Sequence, residues 1–302
     1  MTVLITGATG LVGKAIVKQC HENSIKVHYL TTSKNKIQNK ENYKGFYWNP
    51  EKEEIDSNCF KDVDAIINLA GATISKRWTK QYKKQIINSR INTLKLLKTA
   101  LLKEQLQISH IISASAIGVY PSSLTNYYNE DSEQISPSFL GSVVKKWETA
   151  TDEFSQLGMR VSKVRIGLVL DSKEGALPQI VKPITFGFGA AFGSGNQWQS
   201  WIHINDLARL FVYVMEERLE GIFNAVAPNP VTNTDLTKTA AKILNKPLWL
   251  PNIPKSIMKL ILGEMHILLF ESQRVSSKKI ETHAFNFKYP NLLPALENLL
   301  LK

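Results

Sequence analysis

The chain has 302 residues, of which 43% are hydrophobic, so it can bury the core of one large domain or of two smaller ones. Its formal net charge of +11 suits anionic partners, either nucleic acid or phosphorylated small molecules. No run of about 18 apolar residues suggests a membrane span, the N-terminus lacks the features of a signal peptide, and Cys20 and Cys59 suggest neither disulfides nor a metal site. We therefore expect a cytoplasmic protein with no membrane partner and no metal.

Short apolar stretches alternate with helically spaced apolar residues through the first 170 residues. Strands are predicted at residues 3–6, 25–31, 65–70, 110–114 and 161–170, and helices at residues 11–21, 79–103 and 139–157. Strands separated by helices are typical of right-handed crossovers and of a mostly parallel sheet that is covered on both faces. The sequence therefore predicts an α/β fold with a doubly wound, Rossmann-type sheet in residues 1–170.

The pattern changes after residue 171. Glycine and proline punctuate residues 175–201, and the later elements are a helix at 205–217, a strand at 221–227, and helices at 233–245 and 254–270. We interpret residues 171–302 as a smaller α+β part that lies mainly on the substrate side, with residues 203–227 returning to the first domain.

The first motif is a glycine turn of the form G-x-x-G-x-x-G, in which Gly7, Gly10 and Gly13 follow the first strand and open the first helix. Glycines at these places let the backbone turn tightly and approach a pyrophosphate, while the helix N-terminus offers free N–H groups. A tight strand-to-helix turn without a ligand is the alternative. The flanking strand, the helix and a second strand about 20 residues further on favour a dinucleotide site.

The end of the second strand indicates which dinucleotide is preferred. NAD sites usually carry an acid there, whereas no acid occurs between Glu22 and Glu41. The strand instead ends in hydroxyl and ammonium groups, which suit a 2′-phosphate: Thr31, Thr32, Ser33 and Lys34. NADP(H) is therefore favoured over NAD(H), although Lys34 could equally belong to an exposed polar loop.

Residues 76–103 contain nine basic residues and no acidic one. Apolar residues recur through this segment at helical spacing, so most of these charges are expected on the outer face of an amphipathic helix. No nucleic-acid-binding motif accompanies them, and we expect no nucleic-acid partner.

Several further motifs occur in a fixed order along the chain: INLAGATI with RWT at 77–79, SASAIGVY at 113–120, KWE at 146–148, RIGLVL at 165–170, FGFGAAFGSGNQW at 186–198, WIHINDLAR at 201–209, NAVAPNPVTN at 224–233, GEMHILLFESQRV at 263–275 and FNFKYP at 285–290. Together with the glycine turn they resemble the extended short-chain dehydrogenase/reductase superfamily. More narrowly, the chain resembles the atypical "epimerase family" oxidoreductases that carry a C-terminal domain of unknown function, here residues 249–297.

The resemblance implies roles for individual residues. The pyrophosphate would be held by the glycine turn: Gly7, Thr9, Gly10, Leu11, Val12 and Gly13. Thr31 and Thr32 stand at the adenosine-phosphate end, where relatives often have Arg. The remaining cofactor contacts would be Leu69, Ala70 and Gly71 at the adenine and ribose, Gln85 and Arg90 on the following helix, and Val169 near the nicotinamide. For Arg90 an exposed helix charge is the alternative.

The superfamily's Tyr-x-x-x-Lys pair is missing. Its two positions fall at about Leu140 and Val144, and none of the nine tyrosines has a lysine four residues later. Ser115 matches the superfamily's Ser/Thr that polarises a substrate oxygen, and Tyr120 could supply a phenol if its loop curls inward. Each has a structural alternative, a strand-end cap for Ser115 and packing for Tyr120.

The glycine-rich loop at residues 187–201 is predicted to be a flap that contacts substrate through Gln197, Trp198 and Trp201. A series of turns packed under the two tryptophans is the alternative. His203 could carry a proton, but a positional role is preferred, and Asp206 in the same segment is expected to cap a helix.

Three functions are considered. The favoured one is an NADP(H)-binding oxidoreductase or epimerase-like enzyme for a small polar or nucleotide-linked substrate. A non-catalytic NADP(H) sensor or scaffold is the alternative, and a nucleic-acid-associated protein is the third. The substrate, the direction of reaction and the choice between monomer and homodimer stay open.

Overall fold

The computed structural model describes residues 1–301. The first half of the chain alternates strands and helices: β1 Thr2–Thr6, α1 Leu11–Glu22, β2 Lys26–Thr31, β3 Asn39–Lys40, β4 Tyr43–Asn49, β5 Glu54–Ile55, β6 Ala65–Asn68, α2 Lys80–Lys103, β7 His110–Ala116, β8 Tyr127–Tyr128, α3 Phe139–Asp152 and β9 Arg160–Ile166.

The second half is richer in short elements: β10 Leu168–Leu170, α4 Leu177–Thr185, β11 Trp198–Gln199, β12 Trp201–His203, α5 Ile204–Glu216, β13 Gly221–Ala225, β14 Val231–Thr232, α6 Asn233–Ile243, α7 Lys255–Leu262, α8 Ile267–Phe270, β15 Arg274–Val275, α9 Lys278–Thr282 and α10 Leu292–Leu300.

A nine-stranded sheet lies at the centre, in the order β13-β9-β7-β6-β1-β2-β4-β3 with β5 paired to β4. Neighbours from β13 to β4 are parallel, and the short strands β3 and β5 are antiparallel to β4. From β1 the chain moves first to one side through α1 and later to the other side through α2. Right-handed crossovers therefore place these helices on opposite faces. The predicted doubly wound Rossmann-type sheet is confirmed.

Strand β4 is absent from the predicted elements. Its sequence YKGFYWN mixes aromatic residues with a lysine and a glycine, and Trp48 is its one buried residue, because the strand lies near the edge of the sheet. Gly45 has a packing role, since a Cβ there would lie 2.4 Å from the ring of Tyr29. The glycine therefore makes room for a core aromatic ring, and it interrupts the alternation of apolar and polar residues that would have predicted a strand.

The strand predicted at residues 161–170 is divided in two at Gly167. Its N–H donates to the carbonyl of Ala225, whereas the next N–H, of Leu168, donates to the carbonyl of Ser200. A Cβ at Gly167 would lie 2.3 Å from the Ser200 oxygen, so a close backbone crossing requires glycine here. Strand β9 therefore belongs to the central sheet, and β10 pairs with β12 outside it.

The C-terminal part is built on a second apolar cluster, which includes Trp201, Leu236, Tyr289 and Leu296. The helix predicted at residues 254–270 is wrong as one element, because Gly263 adopts a φ of +60° and separates α7 from α8. Helix α10 was not among the predicted elements.

Asp206 is fully buried in the first turn of α5, but it does not cap that helix, whose N-cap is His203. Its carboxylate accepts hydrogen bonds from the backbone N–H groups of Lys288 and Tyr289 at 2.9 and 2.8 Å, and from Arg209 at 2.7 Å. The buried charge is thus satisfied largely by the C-terminal segment.

We predict that His110 makes the fold sensitive to acid. The imidazole is buried beside Ser162, with Nε2 2.7 Å from Oγ. Burial and the neighbouring charge of Arg160 lower the pKa of His110 to about 4. The unfolded chain, with an imidazole pKa of about 6.5, takes up this proton first, so the stabilising contribution is complete above about pH 6.5 and is lost as the pH falls towards the folded value.

The measurement is urea unfolding at about pH 7.5 and about pH 5, where His110→Gln should reduce the difference in midpoint between the two conditions. The exposed His21→Gln is the matched control and should keep the wild-type difference. An unchanged difference in His110→Gln would contradict the assignment.

Candidate dinucleotide-binding site

The glycine turn lies where the winding of the sheet reverses, between the carboxyl ends of β1 and β6. Open α/β sheets bind ligands at this kind of switch point. Gly7 has a φ of +71°, and a Cβ on it would lie 3.2 Å from backbone atoms of Leu69. Its carbonyl accepts a hydrogen bond from Gly10 N–H at 3.0 Å, which closes the turn. Gly7 is therefore required by the turn itself.

Gly13 and Gly10 have different roles. A Cβ at Gly13 would lie 2.2 Å from the Gly7 oxygen and 2.6 Å from the Cα of Ala8, so Gly13 lets α1 pack closely on the turn. A Cβ at Gly10 would meet only the Gly7 oxygen, at 3.4 Å, and Gly10 has ordinary extended angles of −83° and 177°. The fold therefore tolerates a side chain at position 10, and the space in front of it is free for a ligand.

Helix α1 begins beside this space. Gly10 is its N-cap, no side chain caps the helix, and its first turn contains no acid. The N–H groups of Leu11, Val12 and Gly13 are in the first turn, so no carbonyl within the helix accepts their hydrogen bonds. They lie at the positive end of the helix dipole. The local arrangement suits a phosphate group.

A cleft of about 980 Å³ extends from the turn along the edge of the sheet. It brings together seven of the residues that the sequence predicts for the cofactor: Gly7, Thr9, Thr31, Thr32, Ala70, Gly71 and Gln85. Val169 lies at the other end of the glycine turn, where a Cβ on Gly175 would be 3.2 Å from Leu11 Cδ2 and 3.9 Å from the Val169 oxygen.

The hydroxyl and lysine side chains at the end of β2 differ in their surroundings. Thr32 is exposed on the cleft, whereas Thr31 is buried and its Oγ1 accepts the N–H of Ser33 at 3.2 Å. The ammonium of Lys34 lies 5.1 Å from the ring centre of Tyr47 on β4. Both threonines line the cleft, and Thr32 is the one whose side chain is exposed there.

The unpredicted strand β4 adds a further wall to the cleft. Trp48, Asn49, Pro50 and Glu51 line it, and Glu51 is exposed there. The absence of acids at the end of β2 therefore does not extend to the whole cleft, since Glu51 lies in the turn that follows the adjacent strand β4.

Arg90 is half-buried and is not an exposed helix charge. Its guanidinium lies 4.8 Å from the Trp147 ring centre and donates to the carbonyls of Ala72 and Ile86 at 3.2 and 2.8 Å. Burial lowers the pKa of Arg90 to about 10, so the group stays charged at neutral pH. Its Nε has no partner among the described residues, next to the backbone of Gly71 that lines the cleft.

Ser115 and Tyr120 belong to one buried network. The Ser115 hydroxyl donates to Glu148 at 2.5 Å, and Glu148 receives two further bonds from Arg165 at 2.8 and 2.9 Å. Arg165 also donates to the phenol of Tyr120 at 2.9 Å, and the phenol donates to Asn224 at 2.8 Å. Tyr120 is fully buried, and the proton of Ser115 is already engaged by Glu148.

The charges of this network are fixed. Burial alone would raise the pKa of Glu148, but the hydrogen bonds and charge of Arg165, with the bond from Ser115, hold it below its usual range. Burial raises the pKa of Tyr120. Glu148 is therefore ionised and Tyr120 neutral, and both are positioned to support the site more than to exchange protons.

Leu140 and Val144, where the resemblance places the missing Tyr-x-x-x-Lys pair, both pack into the apolar core. Leu140 belongs to an apolar cluster with Trp78, Ile86 and Val143, against which Met265 of the C-terminal segment packs. Val144 belongs to a separate cluster around Tyr120. The C-terminal segment thus closes over the place where the superfamily's tyrosine would stand.

The loop predicted to be a flap is held against the rest of the protein by hydrogen bonds of its side chains. The amide of Gln197 is buried and donates to the carbonyls of Phe192 and Leu269, both at 3.0 Å. Trp201 is fully buried, with its indole N–H on the Asn229 carbonyl at 3.0 Å. Neither side chain faces an open surface, so the loop corresponds more closely to packed turns.

Trp198 and His203, from the same part of the chain, also have defined contacts. The indole of Trp198 donates to the Leu124 carbonyl at 3.0 Å and lies under the guanidinium of Arg274 at 4.5 Å. His203 is 1% exposed, stacks on Tyr289 at 3.9 Å, and accepts the Asn205 N–H at 3.1 Å. The positional role expected for His203 agrees with these contacts.

Glu271 lies near the loop after β7, and the sequence analysis assigns it no role. It lies near the start of α3, where Gln273 and Ser138 donate hydrogen bonds to it, and burial raises its pKa despite these bonds. Gln273 in turn donates to the Tyr120 carbonyl at 3.1 Å, which places the pair beside the loop after β7. The FESQR motif could have pointed to it, but its spatial neighbours are distant in sequence.

Within residues 1–301, no group of three or more His, Cys, Asp or Glu side chains could hold a metal ion. Among the same residues, no helix has the length and apolar character needed to cross a bilayer.

Comparison with known proteins agrees with this geometry. Residues 3–139 match the NAD dependent epimerase/dehydratase family, and residues 253–299 match a domain of unknown function, DUF1731. The chain is 37% identical over 302 residues to an epimerase family protein of Staphylococcus aureus, covering 99% of both chains. It is 35% identical over 303 residues to one of Staphylococcus saprophyticus, covering 98% of both.

Solved structures show the same fold. The human epimerase family protein SDR39U1 with NADPH matches with a TM-score of 0.87 and 27% identity, covering 100% of both chains. A nucleoside-diphosphate sugar epimerase from Corynebacterium glutamicum matches with a TM-score of 0.78 and 30% identity, covering 99% of this chain and 58% of that chain. The Rossmann sheet, the glycine turn and the matched epimerase/dehydratase model together place the protein in the short-chain dehydrogenase/reductase class. Within that class the chain belongs to the epimerase family, and the resemblance seen in the sequence is confirmed.

The two glycines give a test of the site. Gly10→Val should fold with near-normal stability, because position 10 has extended angles and open space, yet it should abolish NADPH binding by filling the ligand's approach. Gly13→Ala should instead lower the urea midpoint, because its methyl group would overlap the Gly7 oxygen. NADPH titration by fluorescence and urea unfolding separate the two effects. Wild-type affinity in folded Gly10→Val would show that the dinucleotide binds elsewhere.

Proposed function

We propose that this protein is an NADP(H)-dependent oxidoreductase or epimerase-like enzyme that acts on a small polar or nucleotide-linked substrate. The observation that carries the proposal is the contrast between Gly13, which the fold requires, and Gly10, which it does not. A glycine without a structural need, at the N-terminus of a helix and at the switch point of the sheet, is accounted for by a bound pyrophosphate. The names of two related structures, one with NADPH and one a nucleoside-diphosphate sugar epimerase, support the cofactor and substrate classes.

The preference for NADP(H) over NAD(H) rests on the end of β2. Thr32 on the cleft and Lys34 nearby offer a hydroxyl and a positive charge for a 2′-phosphate. Glu51 opposes this preference, because an exposed carboxylate on the same cleft repels a phosphate. We expect the lysine and the hydroxyl to prevail, with a smaller gap between the two cofactors than an arginine would give.

A bound nicotinamide would supply the hydride. The chain would have to bind the substrate, exclude water and deliver a proton. Ser115 can accept a hydrogen bond from a substrate hydroxyl, because its own hydroxyl proton is used in the hydrogen bond that it donates to Glu148. Glu271 is the better proton donor, because burial raises its pKa and it lies beside the loop that follows Ser115.

A non-catalytic NADP(H) sensor or scaffold is the second candidate. The packing of Leu140 and Val144 into apolar clusters favours it, because no proton-transferring group occupies the positions that the superfamily uses. Turnover separates the two functions. A reducing compartment such as the cytoplasm fits both, since Cys20 and Cys59 are buried and unpaired.

Cofactor preference can be tested by charge reversal. Wild-type protein should bind NADPH more tightly than NADH, and Lys34→Glu should weaken NADPH binding by about tenfold or more while leaving NADH nearly unchanged. Lys26→Glu, at the other end of the same strand, is the control for net charge. Equal titration curves for the two cofactors in the wild type would refute the preference.

The proton donor can be tested by an isosteric change. Glu271→Gln should leave NADPH affinity within about threefold and lower the rate of NADPH oxidation with a panel of hydroxyl-bearing carbonyl compounds by about 10²–10⁴. Ser115→Ala should lower the rate less severely, with unchanged cofactor affinity. The exposed Glu133→Gln is the control. Wild-type turnover in Glu271→Gln would exclude it as donor, and tight NADPH binding without any wild-type turnover would favour the sensor.

A further inference from the structure

A group of large apolar side chains is exposed on the C-terminal part of the protein. We call it the apolar face, and it comprises Phe186 (69% exposed), Phe188 (61%), Trp249 (66%), Ile257 (49%), Leu260 (83%) and Ile261 (60%). Single exposed apolar residues are normal, but a larger group of them marks a surface that contacts another apolar body.

Backbone contacts bring the two parts of the apolar face together. The N–H of Ile253 donates to the Ala191 carbonyl at 2.8 Å, and the N–H of Gly193 donates to the Ile253 carbonyl at 2.9 Å. A Cβ on Gly189 would lie 2.7 Å from Leu248, which shows how closely the two segments approach. The loop after α4 therefore runs beside the segment that leads into α7.

Helix α7 contributes half of the apolar face. Ile257, Leu260 and Ile261 are spaced three and four residues apart, so they lie on one side of the helix. None of the eight residues of α7 is buried against the protein. An amphipathic helix whose apolar side faces solvent is stabilised only when something covers that side.

The charged residues within the two segments that carry the apolar face are all basic, and the next acid along the chain, Glu264, is paired with Lys83. Residues 242–262 contain Lys242, Lys246, Lys255 and Lys259 and no acid, and residues 177–199 contain Lys182 and no acid. Lys255 and Lys259 lie on the side of α7 away from Leu260, which is the arrangement of helices that lie in the interface of a bilayer. A second copy of the chain would bring these lysines against one another in a protein that already carries a net charge of +11.

We propose that the apolar face docks reversibly onto an anionic membrane surface, with α7 lying in the plane of the headgroups. Trp249 and the two exposed phenylalanines would enter the interface, and the lysines would pair with lipid phosphates. The sequence predicts no membrane partner because it lacks a membrane-spanning segment. Docking on a membrane surface needs only one apolar side of a short helix. The docking is independent of the proposed chemistry, since none of its residues lines the cofactor cleft.

The test is sedimentation with phosphatidylcholine vesicles, with and without phosphatidylglycerol, using the full chain. The wild type should bind the anionic vesicles, less so at high salt, and should bind the neutral vesicles weakly. Leu260→Ser with Ile261→Ser should weaken binding by at least about tenfold, and Lys255→Gln with Lys259→Gln by roughly tenfold. NADPH affinity should stay unchanged in all variants, which shows that they fold.

Two matched pairs serve as controls. Leu102→Ser with Leu106→Ser removes exposed leucines at the end of α2, and Lys40→Gln with Lys103→Gln removes the same charge elsewhere. Both should bind vesicles as the wild type does. No binding to anionic vesicles would overturn the proposal. So would equal losses in the controls, or a dimer in sedimentation velocity that dissociates in the Leu260/Ile261 variant without any vesicle binding.

Discussion

The contact of Gly13 with the Gly7 carbonyl is the constraint on which the carboxyl edge of the sheet depends. Because a Cβ at Gly13 would lie 2.2 Å from that oxygen, α1 can approach the turn only with glycine there. This approach fixes the direction of the first N–H groups of α1 and leaves the space in front of Gly10 open. The adjoining cleft walls, from Thr32 to Gly71, follow from the same reversal of the sheet between β1 and β6.

The Glu148–Arg165 pair has a comparable importance for the opposite half of the edge. A buried ion pair of this kind contributes little net stability, because desolvation offsets most of the attraction, but removing one partner leaves a buried charge and is costly. Here the pair organises Ser115, Tyr120 and Asn224 into one network that joins β7, α3, β9 and β13. Helix α3 contributes Glu148 to this network, and Leu140 and Val144, at the positions where the resemblance places the superfamily's Tyr and Lys, pack into apolar clusters.

Local patterns predicted much of this structure. The glycine turn and the Rossmann order follow from spacing and from the alternation of strands and helices, and both are short-range signals. The contacts of Lys34 and Ser115 could not be predicted from local patterns. Lys34 contacts Tyr47 and Ser115 contacts Glu148, and both partners belong to other elements of the fold. The position of Glu51 could not be predicted without strand β4, whose Gly45 makes room for Tyr29. The sequence predicts one continuous strand through Gly167. The division there follows from the backbone of Ser200, which crosses close to Gly167 and is distant in sequence.

The bonds of Asp206 have a consequence for how the chain folds. The segment that matches a separate family begins at residue 253, yet its backbone N–H groups at Lys288 and Tyr289 donate hydrogen bonds to the buried carboxylate of Asp206 in the first turn of α5. Without that segment a fully buried charge would keep Arg209 as its remaining side-chain partner. The two parts therefore match separate families, but the stability of each depends on the other. Folding should be one cooperative transition, and the boundary between the families is not a place where the chain can be cut into autonomous modules.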